Sequence, residues 1–264
     1  MIIDFHVHCF AEEIAERAIS SLSEATGLPP RSDGTVAGIR SSMKKAGIDK
    51  SVLLSIATKP QQSRKITQWA SSIQDENLIV FGSIHPDSVD WEDELVCISE
   101  AGMKGIKFHP DYQKFFVDDQ KLFPIYEKAA DLGLIIIFHA GVDIGLPAPY
   151  HCPPDRLRRV VKAFPGAKIV AAHMGGFQYW DEVESMLAGE QLYFDTSFSL
   201  HKMDKEQLLR ITLKHGYDRL LFGTDSPWRD QSEDVVRLQS MRLPADVKEA
   251  ILGGNAARLL GLTC

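Results

Sequence analysis

The sequence predicts one α/β domain, residues 1–264, with the (β/α)8 architecture of a TIM barrel. The length of 264 residues is close to the ~250 typical of such barrels. Short apolar runs alternate with segments of helical periodicity, and about 25 to 35 residues separate one strand start from the next. An open doubly wound sheet rarely carries so many regular units, so we expect a closed barrel.

The apolar runs have the composition of strands in a parallel sheet. Several of them, such as LIIIF and KIVAA, are apolar at consecutive positions, which is typical of strands buried on both faces. Segments 121–133 and 153–166 have helical spacing and end at Gly or Pro-Gly, where a helix stops. The predicted strands are 2–8, 51–57, 78–84, 103–108, 134–139, 168–173, 192–196 and 219–224.

Three long polar insertions, rich in Pro and Gly, follow predicted strands 1, 4 and 5. They are residues 21–35, 109–120 and 142–155. Because the loops after barrel strands build the active-site face, these insertions are candidate walls or lids of a pocket.

Composition and charge narrow the class of protein. Apolar residues make up 44% and charged residues 25%, and no run approaches the ~20 apolar residues that span a bilayer. Asp4 and two histidines stand where a signal peptide would carry basic residues, so we expect a cytoplasmic protein. The net charge of -7 disfavours nucleic acid and leaves a small molecule as the expected partner.

Four cysteines are scattered along the chain without CxxC spacing. This pattern predicts reduced thiols rather than a disulfide framework or a cysteine-based zinc site. Any metal must therefore use other ligands. The cysteines are Cys9, Cys97, Cys152 and Cys264.

Polar side chains end several of the predicted strands. His6 and His8 are two residues apart on strand 1, so both can face the barrel axis. An HxH pair alone is a weak motif, and a single strand-end histidine is more often structural. Barrel interiors, however, favour branched apolar residues, so a set of such positions predicts a Zn²⁺, Mn²⁺ or Fe²⁺ site. The other rim residues are Lys107, His109, His139, His173 and Asp225.

These motifs resemble the amidohydrolase superfamily, in particular the amidohydrolase-related branch of metal-dependent hydrolases and non-oxidative decarboxylases. The resemblance runs through DFHVH, GIKFHP, FHAG, AHMGG, FGTDSPW and GGNAARLLG, across almost the whole chain. It implies that His6, His8, His139 and Asp225 bind a metal, most often zinc. It also implies that His173 either binds a second metal or acts as an acid/base, and that Asp225 takes a proton from a metal-activated water.

Strand 4 departs from the binuclear members of the superfamily, in which a carboxylated lysine bridges two metals. Lys107 and His109 both lie near that position, and the sequence does not decide whether either is a ligand. We therefore favour one metal ion and assign both residues to substrate binding. An uncarboxylated Lys107 suits a substrate carboxylate, and its alternative is an ion pair with a neighbouring Asp or Glu.

Two further segments carry smaller predictions. Asn255 is expected to cap the helix that AARLL begins. Trp228 and Arg229, on the loop after strand 8, are candidate substrate contacts, with Arg229 suited to a bidentate grip on an anion. The alternative for Arg229 is a solvated surface charge.

The predicted function is metal-dependent hydrolysis of a small, carboxylated amide, lactone or ester. The alternative is a metal-dependent decarboxylase of a small aromatic or enoic acid, which needs the same ligands.

A barrel metal-nuclease is disfavoured because no glutamate ends strand 3 or 4 and the net charge is negative. A barrel that binds without turnover would lack a usable base, whereas Asp225 and His173 are both present. Helices on the outside of a barrel can pack in pairs, so the fold is compatible with a homo-oligomer, but no exposed apolar stripe identifies the interface.

Overall fold

The computed structural model describes residues 1–262, in which eight parallel strands form the centre of the fold. Each strand lies within or close to a predicted apolar run, so the α/β barrel prediction is confirmed. The strands are β1 Ile3–Val7, β2 Lys50–Leu54, β3 Leu78–Phe81, β4 Gly105–Phe108, β5 Ile135–Phe138, β6 Ile169–Ala171, β7 Tyr193–Asp195 and β8 Leu220–Leu221.

The strands pair in sequence order and the barrel closes. β1, β2 and β3 form one parallel ladder, and β4 to β8 form another. A parallel bridge between Gly82 and Ile106 joins the two ladders after β3, and a bridge between Val7 and Ser226 joins β1 to the segment after β8. All eight strands therefore direct their carboxyl ends to one mouth.

Helices surround the strands in the described part of the chain. The two predicted helices are confirmed, since the structure has α6 and α7 there, followed by Gly133 and Gly166 in the left-handed region. The helices are α1 Glu12–Thr26, α2 Val36–Ala46, α3 Ser63–Ile73, α4 Trp91–Glu100, α5 Pro110–Gln113, α6 Phe123–Asp131, α7 Pro154–Ala163, α8 Trp180–Glu182, α9 Lys205–His215, α10 Gln231–Ser240, α11 Ala245–Glu249 and α12 Asn255–Leu260. Within residues 1–262, none is long and apolar enough to cross a bilayer.

The insertion predicted at 21–35 is helical in its first part. α1 continues to Thr26 and ends at Gly27, whose φ of 69° and N–H bond to the Ser23 carbonyl close the helix. Ser and Glu suggested a loop, but apolar residues at helical spacing, among them Ile19 and Leu22, sustain the helix.

Apolar side chains fill the amino-terminal end of the barrel interior. Phe5 and Phe81 pack edge to face, with ring centroids 5.8 Å apart, in a cluster that also contains residues of β2, β5, β6, β8 and α12. The β1–β2 register shifts between Asp4 and Val7. Ile3 and Phe5 of β1 belong to this cluster, whereas His6 and His8 line the cavity at the mouth.

Asn255 does not cap α12 through its side chain. Gly254 occupies the cap position, and the Asn255 amide donates to the carbonyls of Tyr217 and Leu220, at 2.7 and 2.8 Å. The residue is buried, so these bonds satisfy two carbonyls at the entry to β8. The capping prediction is therefore wrong, because a tertiary contact uses the amide.

Three of the cysteines are free thiols, Cys9, Cys97 and Cys152. Cys264 lies outside the described residues.

Candidate metal centre

Three ligand atoms meet at the carboxyl end of the barrel. The Nε2 atoms of His6 and His8 are 3.2 Å apart. Asp225, just after β8, places its Oδ1 3.2 Å from the His8 Nε2 and 3.5 Å from the His6 Nε2. The structure brings these three predicted residues together at one mouth of the barrel, and their role as metal ligands stays a prediction.

The opposite nitrogen of each imidazole is held by a fixed acceptor. His6 donates from Nδ1 to the Asp195 carboxylate at 2.8 Å, and His8 donates from Nδ1 to the Leu54 carbonyl at 2.8 Å. Both rings therefore direct Nε2 into the site as the available ligand atom. Such outer partners commonly orient histidines that bind a metal.

The protonation states of His6 and Asp225 favour metal binding. Burial lowers the pKa of His6 well below its usual value, and the nearby Lys107 lowers it further. Burial opposes ionisation of Asp225, but contact with His8 and then the neighbouring His6 and His173 keep the pKa of its carboxyl below the usual value. At neutral pH the site thus holds a neutral His6 imidazole and an ionised Asp225 carboxylate.

This donor set fits a divalent cation. Bonds of about 2.1 Å put the donor atoms of a tetrahedral site roughly 3.4 Å apart, close to the 3.2–3.5 Å separations here. Two imidazole nitrogens and one carboxylate oxygen are also donor types that divalent transition metals bind in proteins.

His139, the fourth predicted ligand, falls in a second group with His109 and Asp143. The rings of His109 and His139 stack with centroids 4.1 Å apart and an angle of 13° between their planes. Because the ring lone pairs lie in nearly parallel planes, they do not converge on one ion. His109 Nε2 instead lies 3.2 Å from Asp143 Oδ2. We interpret this group as a hydrogen-bonded cluster.

His139 retains one free ligand atom. Its Nδ1 lies 3.1 Å from the Nε2 of His173, and its buried Nε2 has no hydrogen-bond partner among the described residues. Burial lowers the pKa of His139 well below its usual value, as it does for His109. His139 as a metal ligand stays a prediction, supported by this unpaired nitrogen.

His173 is fixed beside the ligand set. Its Nδ1 donates to the Ser197 carbonyl at 3.0 Å, so Nε2 is the nitrogen that faces His139. The rings of His173 and His6 lie 5.3 Å apart between centroids. The structure thus brings the predicted acid/base within the same cluster.

Lys107 is a buried cation at the edge of the ligand set. Its side chain is 1% exposed and its Nζ lies 3.4 Å from the His6 Nε2. Burial lowers the pKa of Lys107 to about 8, although Asp195 and Asp225 oppose this effect. Among the described residues it forms no ion pair within 4 Å. Of the two readings of Lys107, the structure therefore favours a cation available to a substrate carboxylate.

A cavity of about 620 Å³ opens over these residues. All three predicted insertions contribute to its lining, through Leu22, Leu28, Tyr112, Val142 and others, so they are walls as expected. Trp228 also lines the cavity. Its further aromatic lining residues are Phe10, Trp69, Phe177 and Phe198.

Arg229 is not among the residues that line this cavity. Its guanidinium donates to Asp234 at 2.8 Å and to Glu233 at 3.0 Å, on the first turn of α10. Asp234 is fully buried and Arg229 is 6% exposed. Since these carboxylates occupy the guanidinium, we do not retain Arg229 as a substrate contact, and it is not a solvated surface charge either.

Sequence reasoning missed three residues of the site. Asp195 ends β7 and contacts His6, Ser197 follows β7 and contacts His173, and Asp143 contacts His109. Asp195 ends an apolar run as the predicted ligands do, so its position at the rim was a usable signal. Asp143 and Ser197 lie on loops and carried no such signal.

Comparison with known proteins gives the family. The amidohydrolase family model matches residues 3–262. A 5-carboxyvanillate decarboxylase structure from Sphingomonas paucimobilis has 16% identity and a TM-score of 0.73, with 99% of each chain covered. An uncharacterised TIM-barrel protein from Bordetella bronchiseptica has 20% identity and a TM-score of 0.75, with 98% of each chain covered.

A dihydroxybenzoic acid decarboxylase from Polaromonas sp. JS666, solved with manganese and an inhibitor, has 16% identity and a TM-score of 0.73. The alignment covers 98% of this chain and 96% of that one. At these identities the structural likenesses establish the TIM-barrel fold alone. Among curated proteins no sequence matches the chain. The family model spans nearly all of the sequence, and the chain therefore belongs to the amidohydrolase family.

Proposed function

We propose that this protein is a metal-dependent decarboxylase of a carboxylated aromatic or enoic acid. The observation that carries the proposal is the buried Lys107 ammonium, which lies beside the ligand set without a carboxylate partner within 4 Å in the described chain. The structural relatives named as decarboxylases support the reaction type. Predicted initially as the alternative, this reaction is now the better supported of the two.

His6, His8 and Asp225 would hold the cation, with the unpaired His139 Nε2 as a further donor. A divalent cation there supplies a Lewis acid for a substrate oxygen. Zinc was the predicted ion. Manganese becomes an equal candidate because related decarboxylase structures contain it.

Lys107 would bind the substrate carboxylate first, and another protein group would then supply a proton to the substrate carbon. Lys107 binds the carboxylate as an ammonium, while burial keeps His6 and His139 neutral. When the carbon–carbon bond breaks, its electron pair stays on the substrate carbon and neutral CO₂ leaves.

The substrate carbon then needs a proton. His173 is the proposed donor: its Nδ1 proton stays with the Ser197 carbonyl, so a proton that Nε2 takes up from solvent is the one passed to the substrate carbon. Returning the proton from solvent restores the residue for the next turnover.

Hydrolysis of an amide, lactone or ester is the second candidate. It is favoured by Asp225, whose ionised carboxylate beside His8 can accept a proton from an attacking water. The two candidates differ in their products, since only decarboxylation releases CO₂.

The test uses protein loaded with Mn²⁺ or Zn²⁺ and a panel of acids labelled with ¹³C in the carboxyl group, alongside carboxylated esters and lactones. We expect labelled CO₂ or bicarbonate from at least one acid. Lys107→Met should abolish its release, whereas Lys104→Met, at an exposed lysine just before β4, should not. Turnover confined to esters or lactones would refute decarboxylation and support the second candidate.

A further inference from the structure

Helix α1 carries an apolar stripe that the fold does not use. Ala15 and Ile19 face the protein core and are buried. Ile14, Ala18 and Leu22 form a second stripe at i, i+4 and i+8, and all three line the cavity. A surface helix usually presents polar residues outside its core-facing stripe, so the second stripe calls for another contact.

The second stripe extends the apolar lining of the cavity along α1. Ile14 and Leu22 are eight residues apart in one helix, which corresponds to about 12 Å. α3 contributes Ile66 and Trp69 to the same lining. The volume of about 620 Å³ lies in the range of pockets that enclose drug-sized ligands, larger than one ring with a carboxyl group.

Most charged groups of the cavity lie apart from the α1 stripe. The imidazoles, Lys107 and the carboxylates belong to the strand ends and the loops that follow them, and Lys65 belongs to α3, whereas the α1 stripe contains no charged residue. Ile14 is 41% exposed although it belongs to this lining, so part of the stripe is open to solvent. Covering it with an apolar group would be favourable.

We propose that the substrate carries an extended apolar group, an alkyl or aryl chain, that lies along Ile14, Ala18 and Leu22 while its carboxylate meets Lys107. The placement of the carboxylate rests on the proposed function, and the apolar groove rests on the lining of α1. The substrate is therefore larger than the small acid that the sequence predicted.

The test measures binding of a homologous series, from 4-methylbenzoate to 4-octylbenzoate, to metal-loaded protein by calorimetry. We expect affinity to rise about four-fold per methylene while the chain is being buried, the gain typical of removing one CH₂ from water. Ala18→Glu should remove this increase. Ser20→Glu, an exposed site on the same helix that does not line the cavity, should preserve it.

Ile14→Gln provides a second variant at a partly exposed position, where folding is least at risk, and should weaken binding of the longer acids. Affinity that does not change with chain length would overturn the groove, even if compact acids are decarboxylated. An increase that Ala18→Glu abolishes would support the groove even if no acid is turned over. In that case only the proposed function fails.

Discussion

Replacing Lys107 with methionine should stabilise the protein while it abolishes turnover. Burial lowers the pKa of Lys107 from 10.5 to about 8, so the folded protein carries the ammonium at a cost. Each pH unit corresponds to about 1.4 kcal/mol, and the difference amounts to about 3 kcal/mol at pH 7. Methionine fills a similar volume without the charge. We expect a gain approaching this value, which already includes the attraction of the ammonium to Asp195 and Asp225.

The pH dependence of stability shows whether the charge on Lys107 stabilises or destabilises the folded protein. Between pH 8 and 10.5 the unfolded chain keeps a proton on the lysine that the folded protein releases. Stability of the wild type should therefore rise with pH across this window, and the rise should disappear in Lys107→Met.

Urea denaturation of the metal-free protein from pH 7 to 10, followed by circular dichroism, measures both effects. Lys104→Met serves as the control, because Lys104 is exposed and should change neither quantity. A Lys107→Met protein that is less stable than the wild type at pH 7, or that keeps the full pH-dependent rise, would refute a buried, uncompensated ammonium. Retained turnover would refute its role in binding the carboxylate.

Three other variants test whether a residue contributes to activity or to stability. Asp225→Asn should lower turnover by at least 100-fold while the thermal transition persists, since rim residues serve function more than packing; a variant with full turnover would defeat the assignment. Asn255→Ala should cost about 2 kcal/mol in urea denaturation, because the buried amide loses its two hydrogen bonds to the carbonyls of Tyr217 and Leu220, and kcat should stay unchanged. Arg229→Met should cost about 3 kcal/mol, because the buried Asp234 then keeps only its 3.8 Å contact with Arg237, and an unchanged stability would contradict that pairing.

Much of the barrel could be predicted because each strand is a local pattern. An apolar run that ends at a polar residue identifies both the strand and its rim, as in LIIIFH before His139. The runs overestimate strand length where the chain leaves the ladder early. β6 ends at Ala171, and His173 adopts a φ of 59° beyond it, a conformation that the run of apolar letters does not reveal.

The partners of the rim residues could not be predicted in the same way. Asp195 and His6 are 189 residues apart, and only closure of the barrel brings them together. The second cluster depends likewise on ring stacking between β4 and β5. Arg229 is different, because Asp234 and Glu233 follow it closely in sequence and an ion pair with the next helix was a foreseeable competitor for its charge.

The central claim is that His6, His8 and Asp225 form a divalent metal site. Elemental analysis of purified protein, incubated with Mn²⁺ or Zn²⁺ and then freed of excess ion, tests it without any knowledge of the substrate. We predict about one ion per chain for the wild type and a loss of that ion in His6→Ala. A wild type that holds no ion, or a folded His6→Ala protein that holds as much as the wild type, would contradict the account.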